Sequence, residues 1–303
     1  MAVIVTGGAG FIGSHVVEAL VERGDEVHVV DDLSTGFREN VPAGVPLHVH
    51  DIREPLDAIV RDVGARSIVH FAAQADVRVS VEEPVRDAAI NVLGSVNVLE
   101  AARLVGARVV FASTGGAIYG ECARPAREDD PCLPLSPYGA AKLAAEGYLG
   151  AFARLHGVPH VALRFGNVYG PRQNPHGEAG VVAIFLGRLQ AGQQCRVFGD
   201  GSQSRDYVYA GDVARATIAA LDGDVGGVFN VGTGIATTVL ELYEECRQVT
   251  GSDAAAVHEA ERPGELLRSV LDGDHAAATL GFRPTTSLTD GVAATWAALP
   301  PLA

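Results

Sequence analysis

The sequence contains almost no lysine. Of its 23 basic residues, Lys142 is the single lysine and the other 22 are arginines. This lysine stands in the stretch SPYGAAK, four residues after Tyr138. A cation that only meets solvent can be an arginine as easily as a lysine, so the exception favours a specific role for this ammonium group.

Basic charge, cysteine and long uncharged apolar runs are also scarce. The formal net charge of −14 opposes binding to nucleic acid or to an anionic membrane surface. The four cysteines show no CxxC pair and no matching histidine spacing, which argues against a metal site and a disulfide framework. The N-terminal stretch MAVIVTGGAG lacks the basic region and cleavage pattern of a signal peptide. We therefore expect a cytoplasmic protein with no metal and with neither a membrane nor a nucleic acid as partner.

Short apolar runs alternate with helical patterns through the first half of the chain. The strand-like runs are AVIVTG, EVHVVD, LHVHD, SIVHFAA, RVVFAS and HVALRFGN, and the helical patterns cover 12–23, 84–105 and 138–156. Buried strands separated by amphipathic helices predict an α/β fold with a doubly wound, Rossmann-type parallel sheet.

The second half is less regular. Glycine and proline become denser from 166 to 206, which predicts loops and short elements there. One further strand, GVFNVG, and helical patterns near 238–249 and 288–298 follow. Because no linker or repeat separates the halves, we expect a smaller, interleaved C-terminal substrate domain. We place the Rossmann domain at 1–165 and about 207–235, and the substrate domain at about 166–206 and 236–303.

Glycines crowd the first predicted strand-to-helix turn. The stretch VTGGAGFIG places Gly7, Gly10 and Gly13 there. Glycine lets the backbone turn tightly and approach a pyrophosphate, and the helix N-terminus supplies N–H donors for an anion. This turn therefore predicts a dinucleotide site.

Acidic residues end the next two predicted strands. Asp31 and Asp32 close EVHVVDD, where a carboxylate accepts from a ribose 2′-hydroxyl and repels a 2′-phosphate. NAD is therefore favoured over NADP. Asp51 and Ile52 end the third strand, where they either frame adenine or form a plain strand end.

The lone lysine shares a predicted helix face with a tyrosine. Because Tyr138 and Lys142 are four residues apart, their side chains lie one turn apart on one face. An ammonium beside a phenol favours the phenolate, which can remove a proton from a sugar hydroxyl. Ser113 and Thr114 end the strand RVVFAS, at the sheet edge where ligands bind, and either hydroxyl could pass that proton to the tyrosine.

Ten stretches along the chain carry a resemblance to a known family: TGGAGFIG, DDLSTG, HDI, FAAQA, ASTGGAIYGE, SPYGAAK, LRFGNVYGPRQ, FGDGSQSRDYVY, GDVARA and ERPGE. Taken in this order, they resemble the extended short-chain dehydrogenase/reductase family, and within it the UDP-glucose (UDP-galactose) 4-epimerases. The resemblance implies an enzyme that keeps NAD bound and interconverts UDP-hexoses through a 4-keto sugar. It also implies a homodimer, with a monomer as the alternative. By this analogy Tyr138 is the base, Lys142 its partner and Thr114 the proton shuttle.

The resemblance also assigns the binding residues. The cofactor contacts that it implies are Gly7, Gly10, Phe11, Ile12, Gly13, Asp31, Asp32, Asp51, Ile52, Phe71, Ala72, Ala73, Tyr138 and Lys142. The substrate contacts that it implies are Thr114, Asn167, Phe198, Arg205, Arg262, Glu265 and Ser269. In this scheme the asparagine and the two arginines hold the diphosphate, a task that suits the arginine fork. The phenylalanine packs on uracil and the glutamate reaches the ribose.

The chain departs from the family pattern at several positions. Ala75 stands where relatives often have lysine, so one ribose contact is missing in this analogy. STGGAIYG is one residue longer than the commoner serine-rich version, which leaves Ser113 as an alternative to Thr114. Ser269 stands where some relatives have a bulky tyrosine, which leaves room for an N-acetyl group or a carboxylate. Arg78 is a candidate partner for a hexuronate.

Other activities of the same family stay open at this level. A 4,6-dehydratase needs an acid–base pair after the threonine, whereas this chain has Gly115 and Gly116. A 4-ketoreductase or a UDP-glucuronate decarboxylase can share the same tyrosine, lysine and threonine. A non-catalytic NAD sensor is disfavoured because Tyr138 and Lys142 are both present.

Overall fold

The computed structural model describes residues 2–174, 180–262 and 265–301. The strands in these ranges are β1 (Ala2–Thr6), β2 (Glu26–Asp31), β3 (Leu47–Val49), β4 (Ser67–His70), β5 (Arg108–Thr114), β6 (Val161–Phe165), β7 (Asn167–Tyr169), β8 (Cys195–Phe198), β9 (Ser204–Arg205), β10 (Tyr207–Tyr209), β11 (Gly227–Val231), β12 (Thr237–Thr238), β13 (Ala256–Glu259) and β14 (Arg268–Ser269). The α-helices are α1 (Phe11–Glu22), α2 (Asp57–Val63), α3 (Val77–Glu82), α4 (Pro84–Ala88), α5 (Ser95–Val105), α6 (Gly115–Ile118), α7 (Pro137–His156), α8 (Val181–Gln190), α9 (Ala210–Asp222), α10 (Val239–Thr250), α11 (Asp274–Leu280) and α12 (Leu288–Ala297). A 3₁₀ turn covers Arg38–Asn40, and the π-helical stretch Ala89–Gly94 joins α4 to α5.

Seven of these strands form one parallel sheet in the order β11-β6-β5-β4-β1-β2-β3. The chain runs outward from β1 to β3, then returns to β4 on the other side of β1. This reversal confirms the predicted doubly wound sheet, and it opens a crevice at the carboxyl ends of β1 and β4.

The strands are apolar because helices cover both faces of the sheet. On one face α1, α9 and α11 pack on side chains such as Val5, Val29 and Phe229. On the other face α2, α5 and α7 pack on Ile4, Ile68 and Phe111. The two apolar layers hold the strand ends rigid, and the strand ends carry the candidate site.

A third apolar cluster lies outside the main sheet. It joins α8, α10 and α12 to the short strands β7, β8 and β10. The chain enters this region after β6, returns to the main sheet at β11 and leaves it again. In the C-terminal segment, however, Ala276 of α11 and Phe282 pack in the core of the main sheet. The interleaved arrangement is as expected, and the domain bounds at single residues stay a prediction.

Several elements differ from the sequence-based expectation. The sequence predicts loops and short elements for 166–206, yet this stretch contains the ten-residue helix α8. Periodicity alone does not distinguish so short an apolar run from a buried strand. Helix α9 was not predicted either. Its buried residues Ala210, Val213, Ala214, Thr217 and Leu221 follow a helical period, a signal that the sequence contains and that was missed.

The helical stretch Pro84–Val105 is long and apolar enough to cross a membrane, judged by length and composition alone. The sequence has no uncharged run of that length, because Arg86, Asp87, Glu100 and Arg103 interrupt it. In the fold its inner side packs on α7 and on the sheet.

Candidate active site

The carboxyl ends of the central parallel strands bring most of the predicted residues to one edge of the sheet. The glycine turn follows β1, Phe71–Ala73 follow β4, Thr114 ends β5 and Asn167 begins β7 just after β6. The crevice of the doubly wound sheet therefore holds both the predicted cofactor residues and the predicted catalytic residues.

The glycine turn is built for close backbone approach. Gly7 has φ +71°, and a Cβ on it would lie 2.5 Å from the backbone nitrogen of Ala72. A Cβ on Gly13 would meet the carbonyl oxygen of Gly7. Gly10 is the N-cap of α1 and brings no side-chain cap, and Phe11 and Ile12 form the first turn. The N–H groups at this helix start are therefore left for an anion.

Asp31 and Asp32 differ in their surroundings. Asp31 is buried, and its two oxygens accept from the backbone nitrogens of Ala9 at 3.0 Å and Leu33 at 2.9 Å. Burial raises the pKa of Asp31, and these two hydrogen bonds oppose that rise. Asp32 is exposed and accepts from Ser34. Asp31 thus ties the glycine turn to the end of β2, and Asp32 faces solvent beside it.

Asp51 and Ile52 follow β3. Asp51 accepts a two-pronged hydrogen bond from Arg53, which lowers its pKa. Ile52 is 5% exposed and packs on Gly94 in the core. Contact of these two residues with adenine stays a prediction.

The segment after β4 is fixed to β1. Phe71 donates its backbone N–H to the carbonyl of Thr6 at 2.9 Å, and Ala72 donates to the Thr6 hydroxyl at 3.3 Å. Phe71, Ala72 and Ala73 are partly exposed, whereas Ala75 is exposed. The first three residues thus line the crevice beside the glycine turn.

Lys142 is almost completely buried. Helix α7 begins after Ser136, whose side chain accepts from Gly139 as the N-cap, and the lysine follows one turn after Tyr138. The lysine is 3% exposed, and its Nζ donates to the carbonyl oxygen of Ala112 at 2.9 Å. Burial lowers its pKa to about 8, while Asp87 and Glu146 oppose the change.

Tyr138 lies between Lys142 and Thr114. The Nζ of the lysine is 5.9 Å from the centre of the tyrosine ring, and the Thr114 side chain lies close enough to the phenol to act on its pKa. Burial raises the pKa of Tyr138, Asp87 raises it further, and Thr114 opposes both effects. In the protein alone, desolvation of the phenolate therefore raises the pKa of Tyr138. The expected shift toward phenolate by Lys142 and a bound cofactor stays a prediction.

The two candidate hydroxyls point to different partners. Ser113 donates to Oε1 of Glu146 at 2.5 Å, and that carboxylate also accepts two guanidinium hydrogen bonds from Arg164. The Thr114 side chain instead lies beside the phenol of Tyr138. This arrangement favours Thr114 over Ser113, which belongs to an ion-pair network in the interior, but the role of Thr114 as proton shuttle stays a prediction.

That interior network was missed by the sequence analysis. Arg164 and Glu146 are each 5% exposed at their side chains and 2.7 Å apart. Arg164 also donates to the hydroxyl of Tyr119, which donates to Asn230. The sequence contains one indication that Glu146 belongs to the site. This residue lies four residues after Lys142 and eight after Tyr138, on the same helix face. Arg164 gives no such signal, because its partner comes from another element.

A second missed cluster lies behind the crevice. Asp87 and Asn91 come from the helical stretch before α5, and Gln74 follows the crevice segment Phe71–Ala73. Asn91 accepts from the backbone nitrogen of Gln74 and donates to its carbonyl oxygen, at 3.0 and 2.9 Å. The cluster is formed at a π-helical stretch, a feature that residue spacing does not predict.

The predicted diphosphate residues lie on neighbouring short strands. Asn167 donates its backbone N–H to the carbonyl of Asp206, and Arg205 precedes that aspartate. Asp206 is 1% exposed and accepts from Thr233, Gly234 and Leu271. Although burial raises its pKa, these donors fix the strand that presents Arg205.

The remaining predicted substrate residues form pairs. Arg205 lies 3.2 Å from Glu265, and the guanidinium of Arg262 lies 3.7 Å from the centre of the Phe198 ring. The arginine assigned to phosphate therefore covers one face of the ring assigned to uracil. Ser269 is buried in β14, in register with Arg205 of β9.

Two other sequence expectations concern groups away from these pairs. Arg78 is about half exposed and lies 3.8 Å from Asp76, and its contact with a hexuronate stays a prediction. Within the described ranges no group of three or more metal-binding side chains comes together.

The fold and this site define a dinucleotide-binding α/β protein with a Tyr–Lys–Thr constellation, the class of the extended short-chain dehydrogenases/reductases. The chain belongs to the NAD-dependent epimerase/dehydratase family, whose model matches residues 3–232. It is 42% identical over 305 residues to UDP-glucose 4-epimerase of Mycolicibacterium smegmatis, with 97% of each chain covered.

The chain is also similar to solved structures of UDP-glucose 4-epimerases. UDP-glucose 4-epimerase of Thermotoga maritima, crystallised with UDP-glucose, is 44% identical, with a TM-score of 0.96 over 98% of each chain. UDP-glucose 4-epimerase of Thermus thermophilus, in complex with NAD, is 47% identical, with a TM-score of 0.94 over 98% of each chain.

Proposed function

We propose that the protein is an NAD-dependent 4-epimerase that interconverts UDP-glucose and UDP-galactose. The observation that carries the proposal is the placement of Thr114, Tyr138 and Lys142 together at the sheet edge, beside the glycine turn. Family membership and the similarity to UDP-glucose 4-epimerases support it.

The residues at the crevice fit a dinucleotide. The uncapped N-terminus of α1 and the turn from Gly7 to Gly13 suit a pyrophosphate. The carboxylates of Asp31 and Asp32 suit the hydroxyls of the adenine ribose, with Asp51 and Ile52 at the adenine. Lys142 and the segment Phe71–Ala73 are placed for the nicotinamide end.

When bound, the cofactor supplies the acceptor and donor for the hydride at C4 of the sugar. The protein moves the proton. Thr114, whose side chain lies beside the phenol of Tyr138, orients it toward the sugar hydroxyl. Lys142, anchored to Ala112, holds a positive charge one turn away. The positive charge of an oxidised nicotinamide ring near the phenol would lower the pKa of Tyr138. The tyrosine would then act as the base while the cofactor is bound.

Gly116 keeps the sugar end of the crevice open. A Cβ there would lie 3.4 Å from Oδ1 of Asn167 and 3.9 Å from Oγ1 of Thr114, so a side chain would project between the two. A Cβ on Gly115 would meet Leu271. Neither position supplies the acid or base that elimination of the C6 hydroxyl needs, which favours epimerisation over dehydration.

Binding of the nucleotide is assigned to the paired side chains. Arg205 and Arg262 offer guanidinium forks to the diphosphate, together with Asn167. When the diphosphate binds, Arg205 leaves Glu265 and Arg262 leaves the ring of Phe198. Both guanidinium groups then bind phosphate. The uncovered ring then takes uracil, and the freed carboxylate takes the ribose hydroxyls.

Ser269 makes substrate breadth part of the proposal. Its small side chain leaves space for an N-acetyl or uronate group, so UDP-N-acetylglucosamine and UDP-glucuronate are further candidate substrates.

We also propose a cytoplasmic homodimer. The helical stretch Pro84–Val105 and helix α7 carry exposed apolar side chains. Val85 and Leu93 of the first are 83% and 62% exposed, and Leu155 of α7 is 74% exposed. An isologous pairing of these helices would bury them.

The test is turnover of UDP-galactose by the purified protein without added nicotinamide, followed by chromatography. Formation of UDP-glucose supports an epimerase that retains NAD. UDP-N-acetylglucosamine and UDP-glucuronate are run in parallel, and S269Y is expected to slow the N-acetyl substrate more than UDP-galactose. Absence of turnover with all three substrates, although NAD is released on denaturation, would contradict the proposal.

A further inference from the structure

Asp87 is a buried carboxylate that the proposed mechanism does not use. It is 1% exposed, and its Oδ1 accepts from Nε2 of Gln74 and Nδ2 of Asn91, each at 2.9 Å. Within the described part of the chain its other oxygen, Oδ2, is buried without a hydrogen-bond partner. A buried carboxylate oxygen without a donor is costly, so it calls for an explanation.

The surroundings of Asp87 place it at the catalytic helix. The short helix α4 that carries it packs on α7, which carries Tyr138 and Lys142. The charge of Asp87 acts on both of these side chains. Gln74, which holds Oδ1, directly follows the crevice segment.

The other carboxylate near Lys142 is already neutralised. Glu146 forms an ion pair with Arg164 and accepts from Ser113. Asp87 has only neutral amide donors at Oδ1, so its charge is balanced by no arginine within the described ranges. The uncompensated negative charge near the buried ammonium is therefore that of Asp87.

We propose that Asp87 is a positioning residue of the active site, whose carboxylate, fixed by Gln74 and Asn91, keeps the buried ammonium of Lys142 charged beside Tyr138. This inference rests on the proposed function for its catalytic meaning, but the electrostatic relationship is a property of the protein alone. The groups that face Asp87 are Gln74, which follows the crevice segment, Asn91 from the π-helical stretch, and Tyr138 and Lys142 from α7.

The single lysine makes a direct test simple. Protein grown with lysine labelled at ¹³Cε gives one lysine resonance, that of Lys142, whose chemical shift is followed from pH 6 to pH 11. In the unsubstituted protein the midpoint is expected near 8, the pKa that burial imposes. In D87N the midpoint should fall by on the order of one pH unit, because a nearby opposite charge is lost.

Activity gives a second readout. Because Asp87 raises the pKa of both Tyr138 and Lys142, D87N should move both limbs of the pH–rate profile for UDP-galactose toward acid. A purely structural role would lower the rate without moving the limbs.

The matched control is D212N. Asp212 is also 1% exposed and accepts from Arg215, Thr285 and Thr286, but it does not act on Lys142. The control should lower stability and leave the Lys142 midpoint unchanged. D87S, which leaves space for a water, replaces D87N if the latter does not fold.

An unchanged Lys142 midpoint in folded D87N or D87S, or an equal shift in D212N, would overturn the proposal. The outcome is separable from the proposed function, since the lysine titration needs no substrate. An inactive protein with the expected shift contradicts the epimerase assignment alone, and an active epimerase without the shift contradicts the role of Asp87 alone.

Discussion

Ser113 donates a 2.5 Å hydrogen bond to Glu146, so the serine beside Thr114 serves the interior and not the crevice. Both side chains meet the same helix, since Glu146 and Tyr138 both lie on α7. The Ser113 hydroxyl is bound to the Glu146–Arg164 ion pair, whereas the Thr114 side chain lies beside Tyr138, the proposed base.

This division predicts opposite effects of two neighbouring substitutions. T114V should lower kcat for UDP-galactose by about 10- to 100-fold, since it removes the hydroxyl that orients the base, and leave the unfolding midpoint nearly unchanged. S113A should retain more activity than T114V. It should, however, lower the free energy of unfolding by about 1–3 kcal/mol, because a buried carboxylate loses a donor. Steady-state kinetics and urea unfolding of both variants test this, and the reverse pattern would assign the shuttle to Ser113.

Loss of the phenol should affect chemistry alone. Y138F is expected to lower kcat by about 10²–10⁴-fold, the usual contribution of a general base, with NAD content and unfolding unchanged. Y148F is the matched control, since Tyr148 lies on the same helix and is 46% exposed. Similar losses in the two variants would remove Tyr138 from the role of base.

The buried ion pair should dominate the stability of the site. E146Q leaves the Arg164 guanidinium buried without its counter-charge, and we expect a loss of about 3–5 kcal/mol in the free energy of unfolding. E100Q removes the partner of Arg103 in an exposed i,i+3 pair and should cause no measurable change. Urea unfolding of both variants measures the difference. An E146Q protein as stable as the parent would show that the pair contributes nothing net.

The glycine turn leaves no space at its first glycine. G7A needs a positive φ for alanine and places a Cβ 2.5 Å from the backbone of Ala72, so the protein should lose bound NAD and part of its stability. G147A is the control, because a Cβ there meets nothing within 4 Å. It lies inside α7, where alanine should stabilise the helix by about 0.5–1 kcal/mol. NAD released on denaturation, measured per mole of protein, distinguishes the two variants. Full NAD content in G7A would show that the turn adapts.

Acid should destabilise the fold through buried histidines. Burial lowers the pKa of His70 to about 3, below its ordinary value of 6.5, and its ring is hydrogen-bonded to Thr6 and Ser95. The unfolded chain therefore takes up a proton as the pH falls through 6.5, and the folded protein does not until about 3. Stability present above pH 6.5 is lost progressively across that window.

The measurement is the free energy of unfolding from pH 7.5 to pH 4.5. Substitution H70Q should reduce the slope by about 1 kcal/mol per pH unit below pH 6, because one proton uptake is removed. His160, whose pKa is lowered to about 4, contributes in the same direction and accounts for part of the slope that is left. An unaltered slope in H70Q would mean that His70 is accessible to protons in the folded state.

Much of the site could be predicted because its determinants are local in sequence. The glycine turn, the acid at the end of β2 and the tyrosine and lysine one turn apart each depend on residues within one strand, turn or helix. A parallel sheet brings all strand ends to the same edge, so these local signals add up to one place.

The sequence alone therefore determined the sheet class, the crevice and the pairing of Tyr138 with Lys142, because spacing and periodicity encode them. Only the tertiary structure decided which hydroxyl meets Tyr138, that burial raises the pKa of this tyrosine, and that Asp87, Gln74 and Asn91 meet behind the crevice. These properties depend on desolvation and on partners from distant elements, such as Arg164 of β6 facing Glu146 of α7. Burial and long-range contact arise from packing, which residue spacing does not specify.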